Sequence, residues 1–440
     1  MENDYSGFGQ PRRAQIDQSE MHAQRVGSPQ INNMLRGNSD VTRHHRSTLV
    51  VLPSVPVVLS ETTVFADAKM VEGAALYAKL WGGPVLFLAR NGDPRSLAFG
   101  QHYSRAALPF RIEVIADDAH DVTGWLADAA VVLASGDNFQ DFGVVRYTSA
   151  PTVYVIEYTL ETRLQMIKLE QGYSFQAIKS AAWTVFSESE RRKAFRASAG
   201  VQANGQPAFA AYAKFANASM RYFDTRMAAD QQVSEGEVAA KKQAILRHQA
   251  LRLAFSGRLE AIKGADHLVP IAKALSARGV NYTLDIFGDG SLRSNIQTAI
   301  SNAGLHDQVK LHGALRFHDE LVPYLKAKID LFVCPHMQGD PSCTYLETLS
   351  CGVPIVGYSN PAFMGVLDLG KAGIAAQMGN PAGAAEAIQV LDSHRAQLAE
   401  LVDTAAAVGR ENSFEQTFAA RIDHLKRVAL LASDNQAHAA

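Results

Sequence analysis

IDLFVCPHMQGDPSCTYLETLSCGVPIVGY, residues 329–358, reads as a buried strand, a turn, a helix and a second buried strand. IDLFVCP and VPIVGY are short, continuous apolar runs of the kind that a parallel sheet covered on both faces requires. Between them Pro341 stands where a helix can begin without loss of an amide, with Asp340 placed to cap it and Gly352 to end it. Working outward, LRLAFSG (251–257), YTLDIFG (282–288) and VKLHG (309–313) are further strand candidates. Helical patterns lie over 264–278, 291–303, 318–328 and 342–351. This rhythm predicts a doubly wound sheet, in which ligands bind beyond the carboxyl ends of the strands.

The alternation also runs upstream. STLVVLPSVPVVL (47–59), PVLFLA (84–89), FRIEVIA (110–116), AAVVLAS (129–135) and PTVYVIEY (151–158) are strand candidates. Helices are expected over 65–81 and near 122–127. Residues 159–248 are more helical and more charged, with AAWTVFSES (181–189) expected as a strand ending in a turn. Strand signals are weak over 220–242, and a junction between two α/β domains belongs there. The expected organisation is a disordered tail over 1–46, a Rossmann-like domain over 47–245, a second over 246–432 and a short tail over 433–440. Residues 380–432 read as two or three helices, one of which could fold back across the first domain.

Composition narrows the function classes. Hydrophobic residues make up 47% and charged residues 20%, the balance of a soluble globular protein. The formal net charge of −2 gives no global field for nucleic acid or anionic lipid, though a local basic groove is compatible with it. No apolar run reaches the ~18 residues of a membrane span, and the N-terminus lacks the apolar core of a signal peptide. A cytoplasmic protein is expected, with room for peripheral contact with the inner face of a membrane. His44 and His45 fall in the polar tail and make a poor metal pair. The spacing of Cys334, Cys343 and Cys351 fits neither a zinc motif nor a disulfide framework, so they read as small buried side chains. No metal site is expected.

The residues after each strand carry the chemistry. GRLEAIKG (257–264) sets Arg258 and Lys263 five positions apart in a strand-to-helix turn. Two fixed cations beside helix amides can hold a diphosphate; taken alone, the pair reads more readily as solvated surface charge. GDGSLR (288–293) puts Gly288 and Gly290 where the backbone approaches a ligand or turns tightly, without the third glycine of a dinucleotide fingerprint. Ser342, Cys343 and Thr344 offer first-turn amides to an anion. Glu347, farther along the same helix, can accept hydrogen bonds from the vicinal hydroxyls of a ribose. Asp340 reads equally as a cap and as a ligand. Asn204-Gly205 reads as a structural turn, and ASGDNF (134–139) as a lesser acceptor contact.

In order and at suitable distances, GRLEAIKG, FGDGSLR, LHGAL and DPSCTYLETLSCGVPIVGY resemble the C-terminal domain of the retaining GT-B glycosyltransferases of family 4, the glycosyl transferases group 1. The resemblance covers about 250–430 well and the first domain loosely. It implies two Rossmann-like, doubly wound α/β domains facing across a cleft, with the donor in the second and the acceptor in the first. It implies that Arg258 and Lys263 bind the donor diphosphate, with Gly257, Gly288, Gly313 and the amides of Ser342, Cys343 and Thr344 around it. Glu347 would bind the ribose. Glu157, at the end of PTVYVIEY, would face the reacting sugar, and it reads equally as a buried acid satisfied by backbone amides. The family's two glutamates are separated by seven intervening residues, and the position of the first is Gly339 here; its role is lost or passes to Asp340. PSVPVVLSETT also replaces the family's glycine-rich loop after the first strand.

The implied reaction moves a hexosyl-type group from a nucleotide diphosphate sugar to a hydroxyl of a glycan, lipid-linked or small-molecule acceptor. Retention and independence of metal are implied with it. The nucleotide sugar is a co-substrate and no cofactor is called for. A catalytically silent binding protein of the same fold, or a nucleotide-sugar epimerase or hydrolase, is the alternative, and the Gly339 departure favours the silent protein.

Overall fold

The computed structural model describes residues 48–97, 100–115, 122–247, 249–339 and 341–439. The tail expected over 1–46, with His44 and His45, lies outside the described residues, and so does Asp340. The first half supplies β1 (Thr48–Val51), β2 (Val58–Leu59), β3 (Thr63–Asp67), β4 (Val85–Arg90), β5 (Gly100–Ser104), β6 (Arg111–Ile115), β7 (Ala129–Ser135), β8 (Thr152–Ile156), β9 (Gly200–Asn204) and β10 (Ala218–Tyr222). Among the described residues, seven of these pair in parallel in the order β10-β9-β8-β7-β1-β4-β6. Strands β2, β3 and β5 form a small antiparallel sheet beside them. All six side chains of β4 are buried, as a strand covered on both faces demands.

The second half supplies β11 (Leu251–Ser256), β12 (Tyr282–Phe287), β13 (Val309–Leu311), β14 (Leu331–Cys334), β15 (Ile355–Tyr358) and β16 (Gly373–Ala376). They pair in parallel as β13-β12-β11-β14-β15-β16, the 3-2-1-4-5-6 order of a doubly wound sheet. The direction in which successive strands are added to the sheet reverses between β11 and β14, and in the first sheet between β1 and β7. A doubly wound sheet opens its ligand crevice at that switch point.

One strand expected from the sequence is a helix. Residues 181–189 lie inside the helix Phe175–Ala197, which Ser174 starts by accepting a hydrogen bond from the Ala177 N–H at 3.0 Å. Thr184, Ser187, Glu188, Arg191 and Phe195 are buried at helical spacing. The apolar run misleads because its large members, Trp183, Val185 and Phe186, face outward.

The domains exchange segments. Phe223 and Met227, just after β10, are buried in the second domain with Phe332 and Leu346. The helix Glu235–Arg247 packs there too, through Val238 and Ile245. Conversely, the last helix, Phe414–Ala439, folds back and buries Phe414, Phe418, Ile422, Leu425 and Val428 against Leu49, Tyr77 and Val131 of the first domain. It runs on to Ala439, through the stretch read from sequence as a tail. Each large side chain buried this way contributes roughly 1.5–3 kcal/mol, so the helix is a firm anchor. The two crossings are tied together: the Phe414 N–H donates to the Met227 carbonyl and the Ala229 N–H to Glu415, both at 2.9 Å.

Candidate functional site

In the second domain the turn after β11 carries Arg258 and Lys263, and it is sewn to the segment after β14. The Met337 N–H donates to the Ile262 carbonyl at 3.1 Å. Gly264 has φ +63, and a Cβ there would stand 1.9 Å from the Pro335 carbonyl oxygen, so only glycine permits this approach. Two loops at the switch point are thereby locked side by side. Arg258 is exposed, whereas Lys263 is only 9% exposed. Gly257, Gly288 and Gly313 meet across the ends of three strands. The Gly288 N–H donates to the Gly313 carbonyl at 3.1 Å, and a Cβ on Gly288 (φ +128) would collide with the Gly257 carbonyl oxygen.

The segment after β14 continues to the helix Thr344–Ser350, which begins later than the sequence suggests. Cys343 occupies the cap position without a side-chain cap bond, so Pro341 is not its first residue and the cap position is not that of Asp340. Because 341–343 lie ahead of the helix, Ser342 and Pro341 reach the domain interface instead. There they line a cavity of about 10 Å³ with Asn204, Gly205 and Asp224 of the first domain. At Gly339 an added Cβ would stand 3.3 Å from the Pro361 ring, so a glutamate there would need that neighbour to give.

The first domain meets these residues with a polar chain that the sequence did not disclose. Asp67 caps the helix Ala68–Trp81 by accepting from the Met70 N–H at 3.1 Å, and Lys69 in its first turn reaches the interface. The Lys69 ammonium pairs with Asp224 and lies 3.3 Å from the Cys343 sulfur. Asp224 accepts the Cys343 thiol at 3.6 Å. The Asp224 N–H donates to the Asn204 amide oxygen at 3.1 Å, and the Asn204 amide nitrogen donates to Glu157 at 2.7 Å. The Tyr222 hydroxyl donates to the other Glu157 oxygen at 2.9 Å. Glu157 and Cys343 are thus joined through Asn204, Asp224 and Lys69. Asn204, read from sequence as structural, is a link in that chain.

Electrostatics follow from burial and partners. Burial opposes the Lys69 charge, but Cys343, Asp224 and Glu347 facing it outweigh that penalty and its pKa is raised. Burial pushes the Cys343 thiol up, so it is neutral near pH 7. Burial, and then the Asp224 charge, push the Glu157 carboxyl above the usual range, although its partners are side chains and not the backbone amides foreseen. Glu347 is buried and accepts from two Arg226 nitrogens, Nε at 2.6 Å and Nη2 at 3.1 Å. The Arg226 guanidinium lies 3.9 Å from the centre of the Phe317 ring. The carboxylate expected to meet a ribose therefore faces an arginine from the inter-domain crossing. Among the described residues, no group of three or more His, Cys, Asp or Glu side chains is placed to hold a metal ion.

Glu157→Gln gives a direct check on this electrostatic reading. The raised carboxyl favours the folded state in its protonated form, a contribution lost as pH rises through the folded pKa. Glutamine keeps an acceptor without the buried charge. The variant is expected to melt about 1–3 °C above wild type at pH 8, with a smaller difference at pH 4. A melting temperature lowered at pH 8 by more than at pH 4 would show that the ionised carboxylate stabilises the fold.

Comparison with known proteins places this geometry in a class. Residues 239–407 match the family described as Glycosyl transferases group 1, a span covering the whole second sheet. The two doubly wound domains are the GT-B fold, shared with glycosyltransferases of known structure. Anabaena Alr3699/HepE, solved in complex with UDP, superposes with a TM-score of 0.59 at 16% identity, over 87% of this chain and 99% of that one. Sucrose-phosphate synthase (tll1590) from Thermosynechococcus elongatus gives 0.61 at 16% identity, over 88% and 100%. In sequence, the chain is 27% identical over 150 residues to 2-deoxystreptamine glucosyltransferase of Streptomyces kanamyceticus, 34% of this chain and 38% of the relative. It is 28% identical over 181 residues to the amylovoran biosynthesis glycosyltransferase AmsK of Erwinia amylovora, 40% and 44% respectively. The chain spans less than half the length of these curated relatives.

Proposed function

We propose that the protein is a retaining glycosyltransferase that moves a hexosyl-type group from a nucleotide diphosphate sugar to a hydroxyl acceptor without a metal ion. The observation that carries the reading is the pair of locked loops at the switch point of the second sheet. There the turn of Arg258 and Lys263 is sewn to the segment leading into Ser342, Cys343 and Thr344, inside the matched family span. Departure of a diphosphate develops negative charge, which the buried Lys263, an Arg258 ordered on binding and nearby amides would stabilise directly. Retention rests on the family resemblance, and the UDP held by Alr3699/HepE supports a nucleotide donor. Glu347 would receive the ribose once Arg226 yields it, and Asp340 would take the sugar contact that Gly339 cannot make. Glu157 would face the reacting sugar from the first domain.

The test is turnover of a panel of nucleotide sugars, by transfer or slow hydrolysis, with and without a chelator. A sugar product of unchanged anomeric configuration, formed at the same rate after chelation, is expected. Loss of activity on chelation with rescue by Mg²⁺ would overturn the metal-free mechanism. Donor binding without any turnover would favour the silent binding protein.

A further inference from the structure

The helix Phe175–Ala197 is built inside out. Its buried face carries Thr184, Ser187, Glu188 and Arg191, with Ala177, Ala194 and Phe195 as its apolar members. Arg191 is fully buried, donating to the Tyr212 hydroxyl at 3.0 Å, Asp137 at 2.7 Å and the Tyr158 carbonyl at 2.9 Å. Its outer face carries Phe175, Ile178, Val185 and Phe186, each more than half exposed and recurring at helical spacing. The polar network anchors the helix, so the apolar stripe does not serve its folding. The stripe continues into the turn that joins this helix to Leu160–Gln171, where Tyr173 is 94% and Phe175 84% exposed. Scattered exposed apolar residues are ordinary, but a contiguous periodic patch marks an interaction surface.

We propose that this helical hairpin, residues 160–197, docks the protein on an anionic membrane surface. Charge identifies the occupant. Residues 160–197 hold seven Lys and Arg against four acidic residues, in a chain whose net charge is −2. Lys168 and Lys179 are exposed on either side of the turn, and the Lys168 ammonium lies 5.6 Å from the centre of the Tyr173 ring. Projecting aromatic rings flanked by lysines match the headgroup layer, where amphipathic rings insert and cations meet anionic lipid. The rings at the turn stand out from the protein instead of lining a groove, which suits insertion over docking on a folded partner. No helix among the described residues is long and apolar enough to cross a membrane, so the attachment is peripheral. The helix Leu160–Gln171 also touches the turn Ala261–Lys263 across the cleft. No more than its own length, ~18 Å for 12 residues, separates the inserted turn from the cleft.

The full chain would be sedimented with vesicles of phosphatidylcholine alone and of phosphatidylcholine with about a third phosphatidylglycerol, the conditions needing no substrate. Binding to the anionic vesicles, weakened by salt, is expected. Tyr173→Ser with Phe175→Ser should reduce partitioning on the order of tenfold while the melting temperature stays unchanged, since both side chains are solvated. Lys168→Glu with Lys179→Glu should reduce binding to anionic vesicles and abolish the salt dependence. Equal binding by wild type and the Tyr173/Phe175 variant, or no vesicle binding at all, would overturn the proposal. A concentration-dependent dimer lost in that variant would assign the patch to a second copy. Binding that appears only after deletion of residues 2–46 would assign it to the chain's own N-terminal segment. Both results would also overturn the proposal.

Discussion

Lys263→Ala is expected to lower turnover of a nucleotide sugar by about 10²–10³-fold, the usual effect of removing one preorganised donor to a developing anion. Arg258→Ala should cost less, and the structure gives the reason. Lys263 is buried in a turn that Gly264 presses against the Pro335 carbonyl, so its position is set before any ligand arrives. Arg258 is exposed, and its long side chain must be ordered by the diphosphate itself, at a rotamer cost of up to about 2 kcal/mol. Both variants should weaken nucleoside diphosphate binding far more than nucleoside binding if, as proposed, the cations meet the phosphates and not the base. Calorimetric titration of the two ligands gives the ratio. Lys263→Met, which keeps the aliphatic stem, separates lost charge from lost packing. Equal losses for both ligands would show that the pair supports the fold and does not touch the diphosphate.

Strands such as β4, β7, β11 and β14 were legible because a parallel sheet buries both faces and leaves a continuous apolar run. Strands β9 (GVQAN), β10 (ASMRY) and β16 (GIAA) were not, since Gln202, Arg221 and small residues break that run. The turns were legible for a related reason: the conformation and close approach at Gly264 and Gly288 leave a glycine in the sequence. The cleft was not. Lys69 and Asp224 stand 155 residues apart, and Arg226 and Glu347 stand 121 apart. Nothing local in FDTR (223–226) marks two of its residues as the first domain's answer to the second. Only the crossing of the chain between domains brings them to Cys343 and Glu347. The start of the helix Thr344–Ser350 was misplaced because proline and aspartate favour a first turn wherever they occur, while here the two domain faces meet over that turn. Residues 181–189 failed for a different reason. Apolar periodicity reports what is apolar, and it equates that with the core only when the surface has no other use.

Arg226→Met and Glu347→Gln are expected to have opposite effects on nucleotide binding, although they break the same ion pair. Glu347 is buried and Arg226 about one-third exposed, so losing the arginine leaves an unpaired carboxylate in a poorly solvated place. Removing one member of a fully buried pair costs about 3–5 kcal/mol. The partial solvation of Arg226 reduces this towards ~1–3 kcal/mol, seen as a lower melting temperature. On the proposed reading, ribose hydroxyls would donate to a Glu347 carboxylate that already accepts from Arg226 at 2.6 and 3.1 Å. In Arg226→Met the ribose meets a carboxylate with that competitor gone. Nucleoside diphosphate should therefore bind the variant about tenfold more tightly, and recover ~1.4 kcal/mol more stability than it adds to wild type at the same saturating concentration. Glu347→Gln should lose affinity for nucleotide and nucleotide sugar together, by roughly 5–30-fold, as the charge-assisted part of the hydrogen bonds disappears. Thermal shifts of the two variants and wild type across a nucleotide titration decide the matter. If ligand stabilises Arg226→Met no more than wild type, Glu347 does not face the ribose, and the pair is a strut that fixes the inter-domain crossing to the second domain.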